Sequence, residues 1–292
     1  SLTFVGTCNS IIYSNAIPHF IDSSLEACGV DNKKLENYLE SNTKIISGNC
    51  YNKKTKRKIK AIIIVHLFGH PARIDAITKI AKKFKLKVIE DAAESIGSFY
   101  KGKHTGTKGD IGVISFNGNK SLTTGGGGAI LTNNKSIAER VKLLASTAKI
   151  KHLYKYIHDG VGYNYRLANI NAAIGCAQLE KLNKIISCQR ELFKKYRKAF
   201  HDIKNIEIMS EPKNSYSNYW LQTLILKKKE KNSINKILNY INKKGYQTRP
   251  VWELINEMKF YRKFPKMNLD KSKEIRNSVI NLPSSPEIII NS

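Results

Sequence analysis

Three short stretches of the 292-residue chain carry side chains suited to chemistry: Asp91-Ala92-Ala93-Glu94, Ser115-Phe116 and Asn119-Lys120. A lysine amine bonds to an aldehyde carbon as a Schiff base when it is deprotonated and partly shielded from water. A carboxylate such as Asp91 can face the nitrogen of a heteroaromatic ring and keep it protonated, so that the ring draws electrons from an adjacent carbanion. A hydroxyl such as Ser115, with backbone N–H groups, can hold a phosphate. An aromatic side chain can cover a flat ring. Together these are the requirements of chemistry on a phosphorylated aromatic aldehyde. Taken singly, each residue has a plainer reading. Asp91 could cap a helix, Lys120 could be a solvated loop lysine and Phe4 a core residue, and Ser115 could be plain strand.

For these residues to act together the fold must bring them to one place, and the surrounding pattern predicts how. Ala61-Ile62-Ile63-Ile64-Val65 is a continuous, mostly β-branched run, as expected of a parallel strand buried on both faces. Gly69-His70-Pro71 makes a turn, and Asp75–Phe84 sets Ile77, Ile80, Ala81 and Phe84 at helical spacing. Leu86–Glu90, Ile111–Phe116 and Ala129–Thr132 read as further strands. Ser136 is expected to cap a helix through Leu144, with Glu139 at capping-box distance. Strands alternating with helices imply an α/β layer architecture. Ligands of open α/β sheets collect at the carboxyl ends of the strands, where Asp91, Ser115 and Lys120 all fall. Leu167 to Phe200 reads as one long helix, or two with a bend. Beyond residue 203 the elements shorten: a strand in Tyr219–Leu226, a helix over Ser233–Lys243, then Thr248-Arg249-Pro250. The expected division is a large ligand-binding domain over 1–165, a connecting helix region over 166–202 and a small α+β domain over 203–292. Ser1–Val5 reads as strand, and the chain stops after another strand-like run with no closing helix, so both ends are expected to be cut.

Composition narrows the alternatives. An apolar fraction of 41% is ordinary for a globular core. No run is apolar for the roughly 20 residues a bilayer crossing needs, and no signal-peptide pattern opens the chain, so a cytoplasmic protein is expected. Cys8, Cys28, Cys50, Cys176 and Cys188 are scattered, with no C-x-x-C pair. That predicts reduced thiols rather than a disulfide framework, and no metal site. The net charge of +27 invites nucleic acid, but the lysines are spread along the chain rather than gathered in a stripe. A basic surface also suits an anionic small substrate.

The ordered set of motifs resembles the DegT/StrS sugar aminotransferases, which share the aspartate aminotransferase-like (type I) fold of pyridoxal-phosphate (PLP) enzymes. The likeness runs through Ser1–Thr7, His66-Leu67-Phe68-Gly69-His70-Pro71, Glu90-Asp91-Ala92-Ala93-Glu94-Ser95 and Gly109-Asp110-Ile111-Gly112. It continues through Ser115-Phe116-Asn117-Gly118-Asn119-Lys120, Gly125–Gly128 and Gly162-Tyr163-Asn164-Tyr165-Arg166. The glycine run lacks the G-x-G-x-x-G order of a dinucleotide fold. The resemblance implies a mostly parallel central sheet flanked by helices, with PLP as cofactor. In that pattern Lys120 carries the cofactor and shuttles the proton, Asp91 pairs with the ring nitrogen, Glu94 lies near the ring hydroxyl, Ser115 binds the phosphate and Phe4 stacks on the ring. Asn164 reaches the phosphate of a neighbouring subunit, which implies a homodimer with shared sites. Arg166, Arg249 and Trp252 are candidates for substrate or interface contacts. The chain lacks the family's amino-terminal portion and carboxyl-terminal helix, and Asn256 stands where many members have His.

Asn-Gly-Asn-Lys followed by Thr-Thr and four glycines is similar to the subgroup acting on UDP-linked 4-keto-6-deoxy hexoses. The implied reaction moves an amino group from L-glutamate to C4 of such a sugar, for bacterial surface glycans or nonulosonic acids. Two alternatives stand beside it. One is a PLP-dependent sugar dehydratase of the same family, in which His replaces the lysine. The other is a basic, non-catalytic nucleic-acid-binding protein.

Overall fold

The computed structural model describes residues 1–26, 28–227 and 233–290. It opens with helix α1 (Val5–Tyr13) rather than the expected strand. Leu2 and Thr3 are buried but belong to no strand, so β-prone composition had no ladder to join and the helix begins right after Phe4. Helix α2 (Asn32–Asn42) follows, capped by the Asp31 carboxylate on Lys34 N at 3.0 Å.

The central sheet comprises β1 (Ala61–Val65), β2 (Lys87–Asp91), β3 (Ile111–Ser115) and β4 (Gly128–Leu131), in the order β1-β2-β3-β4. The first three strands run parallel and β4 returns antiparallel. Helix α3 (Ile74–Lys83) makes the crossover between β1 and β2 and lays Ile74, Ile77, Ile80 and Ala81 over Ile62, Ile64 and Val88. Each fully buried aliphatic side chain contributes about 1.5–3 kcal/mol, and this apolar layer fixes the strands. The register pairs Val65 with Asp91, Asp91 with Val113 and Ser115 with Gly128. Asp91 and Ser115 thus close neighbouring parallel strands at the same edge.

Helix α4 (Lys135–Ala145) begins two residues earlier than the capping argument placed it. Asn134, not Ser136, is the cap, its side chain accepting from Ile137 N at 3.1 Å. Glu139 instead approaches Lys135 to 3.9 Å, one turn back. The long segment is a single helix, α5 (Asn169–Ala199). A second, antiparallel sheet holds β5 (Ile206–Ile208), β6 (Gln222–Leu226), β7 (Arg249–Pro250) and β8 (Val279–Leu282), in the order β5-β6-β8-β7. Helix α6 (Ser233–Lys243) packs Ile234, Ile237 and Leu238 against it. The chain then forms a last helical turn at Glu287–Ile290 where none was expected. The first thirty residues pack against the last fifty: Phe20 bridges to Lys266, and Asp22 accepts from Ser272 N at 2.8 Å and Ser272 Oγ at 2.7 Å.

Candidate active site

Asp91 ends β2 with both carboxylate oxygens held. Thr7 Oγ1 of α1 donates to Oδ2 at 2.7 Å, and Ala93 N donates to Oδ1 at 3.2 Å. The Thr3 hydroxyl stands 3.1 Å from that of Thr7. These two bonds fix the direction of the Asp91 side chain.

The loop after β2 turns Glu94 inward. Its Oε2 accepts from Phe68 N at 2.8 Å, and its backbone carbonyl accepts from Asn218 Nδ2 at 3.0 Å. Phe68 holds φ at +58°, a strained conformation for an aromatic residue. Burial pushes the Glu94 carboxyl up to about 7, against the pull of Lys120 and the Phe68 amide. Behind this loop, fully buried Glu90 accepts from His66 Nε2 at 3.0 Å, Gly106 N at 2.9 Å and Gly109 N at 2.6 Å. The Ala72 amide donates to His66 Nδ1, so the imidazole proton sits on Nε2, facing Glu90. That network ties β2 to the loops on either side of it.

After β3 the chain makes a tight turn. Asn117 N donates to Ser115 Oγ at 3.2 Å and Lys120 N to Asn117 O at 3.1 Å. The return path needs Gly127, whose φ of +97° is accessible to glycine and whose carbonyl accepts from Phe116 N. This turn delivers Lys120 Nζ to 4.0 Å from Glu94 Oε1 and 4.0 Å from the centre of the Trp220 ring. Its side chain is 12% exposed, and Nζ makes no hydrogen bond among the described residues. Burial lowers the amine below the usual lysine range, with Glu94 and then Asp91 opposing the shift. Residues 91, 94 and 120 are therefore close enough to act on one another.

Of the aromatic candidates, Phe4 is 57% exposed and meets Trp252 edge-on at 6.5 Å; Trp252 stacks on Phe68 at 5.4 Å. Through Phe68 both belong to the Glu94 side of the crevice. Asn164 and Arg166 do not join it within this chain. They line an open hollow with Ser146, Thr147, Lys149, Ile150, Lys151 and His152. Arg249 lies on the edge strand β7, donating to Thr248 O at 3.1 Å and Asn242 Oδ1 at 3.4 Å, and meets none of the Lys120 group. Asn256 is buried and bonded to the Ser1 hydroxyl. A cavity of about 640 Å³ runs between β1 and the segment 17–22. Its lining is mainly apolar and includes neither Lys120 nor Glu94, so it lies apart from the Lys120 group.

Three contributors went unread in the sequence: Thr7 on Asp91, Asn218 on Glu94, and Trp220 on Lys120. Thr7 lies inside a motif stretch, but nothing local marks its partner. All five cysteines are free, the described residues hold no cluster of metal-ligating side chains, and none of their helices is long and apolar enough to cross a membrane.

Known proteins resemble the chain in sequence and fold. Residues 1–290 match the DegT/DnrJ/EryC1/StrS aminotransferase family. GDP-perosamine synthase of Escherichia coli O157:H7 is 36% identical over 289 residues, covering 99% of this chain and 73% of that protein. UDP-4-amino-4,6-dideoxy-N-acetyl-beta-L-altrosamine transaminase of Campylobacter jejuni is 34% identical over 222 residues, covering 75% of this chain and 55% of that protein. Among solved structures, Helicobacter pylori PseC, an aminotransferase involved in the biosynthesis of pseudoaminic acid, superposes with a TM-score of 0.87 at 25% identity, over 99% of this chain and 75% of that one.

Proposed function

We propose a specific reaction from one established premise: the chain belongs to the DegT/DnrJ/EryC1/StrS aminotransferase family. It is a PLP-dependent sugar aminotransferase. The reaction we assign is transfer of the amino group of L-glutamate to C4 of a nucleotide-linked 4-keto-6-deoxy sugar, UDP-linked and N-acetylated, for a bacterial surface glycan or nonulosonic acid. The observation that carries this reading is the Lys120 amine, largely shielded and without a hydrogen bond, beside Glu94 and within the electrostatic reach of the fixed Asp91 carboxylate. The names of the Campylobacter and Helicobacter relatives support the sugar class. The name of the Escherichia coli relative favours a second reading in which the nucleotide is GDP.

The side chains present fit PLP: one shielded amine, one oriented carboxylate in reach of it, and a hydroxyl with backbone amides at the same strand ends. When bound, the cofactor supplies an electron-withdrawing ring and a carbon that carries the amino group between donor and acceptor. Lys120 would hold it through Nζ, and the same amine would take and return the proton at the reacting carbon; its lowered proton affinity suits that exchange. Asp91, pinned by Thr7 and Ala93 N, would face the ring nitrogen. Glu94, titrating near neutrality, sits by the ring hydroxyl and tempers the charge on Lys120. Ser115 binds the phosphate, Phe4 covers the ring, and Trp252 and Arg249 are assigned to the sugar nucleotide.

We assign Asn164 and Arg166 to the site of a second copy, in a homodimer. The apolar surface around them supports this: Leu153, Tyr156, Val161 and Tyr165 are all more than three-quarters exposed. We keep the division into 1–165, 166–202 and 203–292 as cofactor domain, connector and small domain. The five free thiols support a reducing compartment, the cytoplasm. Incubating the full-length protein with PLP, glutamate and a panel of UDP-, GDP- and dTDP-linked 4-keto sugars tests the assignment. An amino sugar from the UDP-linked, N-acetylated member is expected. Amination of GDP-linked sugars alone overturns the nucleotide assignment, and no amination of any member overturns the reaction.

A further inference from the structure

Trp220 lies outside every motif that marked the site, yet it makes the closest contact to the Lys120 amine, along with Glu94. Its ring centre is 4.0 Å from Nζ. Its indole N–H donates to Asn119 O at 2.7 Å, so it also grips the residue before the lysine. The ring is itself fixed. Trp220 N donates to Asn218 Oδ1 at 2.8 Å, while Asn218 Nδ2 donates to the carbonyls of Glu94 and Ile96 at 3.0 and 2.9 Å. Gly69 leaves room for this clip: a Cβ there would lie 1.8 Å from Asn218 Oδ1. One rigid segment from β6's approach thus holds Glu94 and Lys120 in a single frame.

A carbonyl or carboxylate at hydrogen-bond distance would hold the amine through one of its N–H groups, and a hydrogen-bond donor there would take up the lone pair left on deprotonation. An aromatic face attracts the ammonium through its quadrupole but takes up no lone pair. We propose that Trp220 is a positioning residue for the transamination, its indole face holding the Lys120 amine in the crevice while leaving the lone pair open to the cofactor aldehyde. This rests on the assignment of Lys120 as the cofactor lysine. The charged groups facing the amine are Glu94 and Asp91, and both remain in the variants below.

The test follows the rate at which the cofactor-free full chain links to PLP, read from its visible absorbance across a pH series. The midpoint of that profile reports deprotonation of the amine. W220F keeps an aromatic face and loses the N–H; W220M keeps an apolar neighbour and loses the face. The expected result is an unchanged midpoint in W220F and a midpoint lowered by on the order of one pH unit in W220M, because the ammonium loses its stabilising partner. A purely structural role would change stability or the extent of linkage, not this difference. An unmoved midpoint in W220M, or an equal displacement in W220F, overturns the proposal. If W220M does not fold, W220F decides alone: its midpoint unchanged supports the proposal and its midpoint displaced overturns it. A wild type that forms no linkage overturns the assignment of Lys120, and this inference with it. A wild type that links normally while W220M keeps its midpoint overturns this inference alone.

Discussion

Around Lys120 the polar atoms find partners within the chain: Thr7 and Ala93 on Asp91, Phe68 N on Glu94, Trp220 on Asn119 and four donors on Glu90. From Ile150 to Leu179 the reverse holds. Leu153 is 94% exposed, Val161 87%, and Ile170 and Leu179 point outward from the first half of α5. The same helix buries Ile186, Leu192 and Phe193 in its second half. Contiguous exposed apolar surface of this kind marks an interaction site. The contrast teaches where the proposal of a second copy has its support: the Lys120 group is held within one chain, whereas Asn164 and Arg166 lie beside apolar side chains left exposed in this one.

The two regions should fail differently. D91N removes the fixed negative charge, and kcat should fall by on the order of 10³-fold with dimerisation intact, as steady-state kinetics and sedimentation would check. L153D with V161D should raise the dissociation constant of the proposed dimer by on the order of 10²–10⁴-fold, since each of the two buried aliphatic side chains is worth about 1.5–3 kcal/mol. Cofactor linkage to Lys120 should survive in the resulting monomer; linkage lost together with the dimer would show that the first region is not self-contained. T7V deletes the hydrogen bond to Asp91 and should lower kcat about tenfold, as expected for a bond to a charged group.

The smallest effect concerns Glu94. Its folded-state proton affinity is raised, to about 7. Its contribution to stability is therefore fully present below the ordinary carboxylate range and is lost as pH rises through about 7. E94Q removes that loss, so thermal unfolding should show the variant gaining on wild type between pH 5 and pH 8, by on the order of 1–3 kcal/mol. Parallel pH profiles for the two proteins would contradict the placement of Glu94.

What the sequence disclosed and what it hid follow a physical line. The mostly β-branched run at 61–65, the helical spacing at 75–84 and the small residues of α5 report local periodicity, and those elements formed within a residue or two of expectation. The opening helix was misread because Leu2–Val5 has β-prone composition but no neighbouring ladder. Asp91, Glu94 and Lys120 were legible through strand ends and motif order. Thr7 and Trp220 were not, since their contacts join residues 84 and 101 positions apart and only tertiary packing creates them. Burial, which sets the proton affinities of Glu94 and Lys120, was equally invisible.

The most direct test of the account is where the cofactor attaches. Full-length protein is loaded with PLP, reduced with borohydride, digested and mapped by mass spectrometry. The account predicts the reduced cofactor on Lys120, and none on the corresponding peptide of K120A. A cofactor trapped on another lysine, or a protein that retains none, would contradict it.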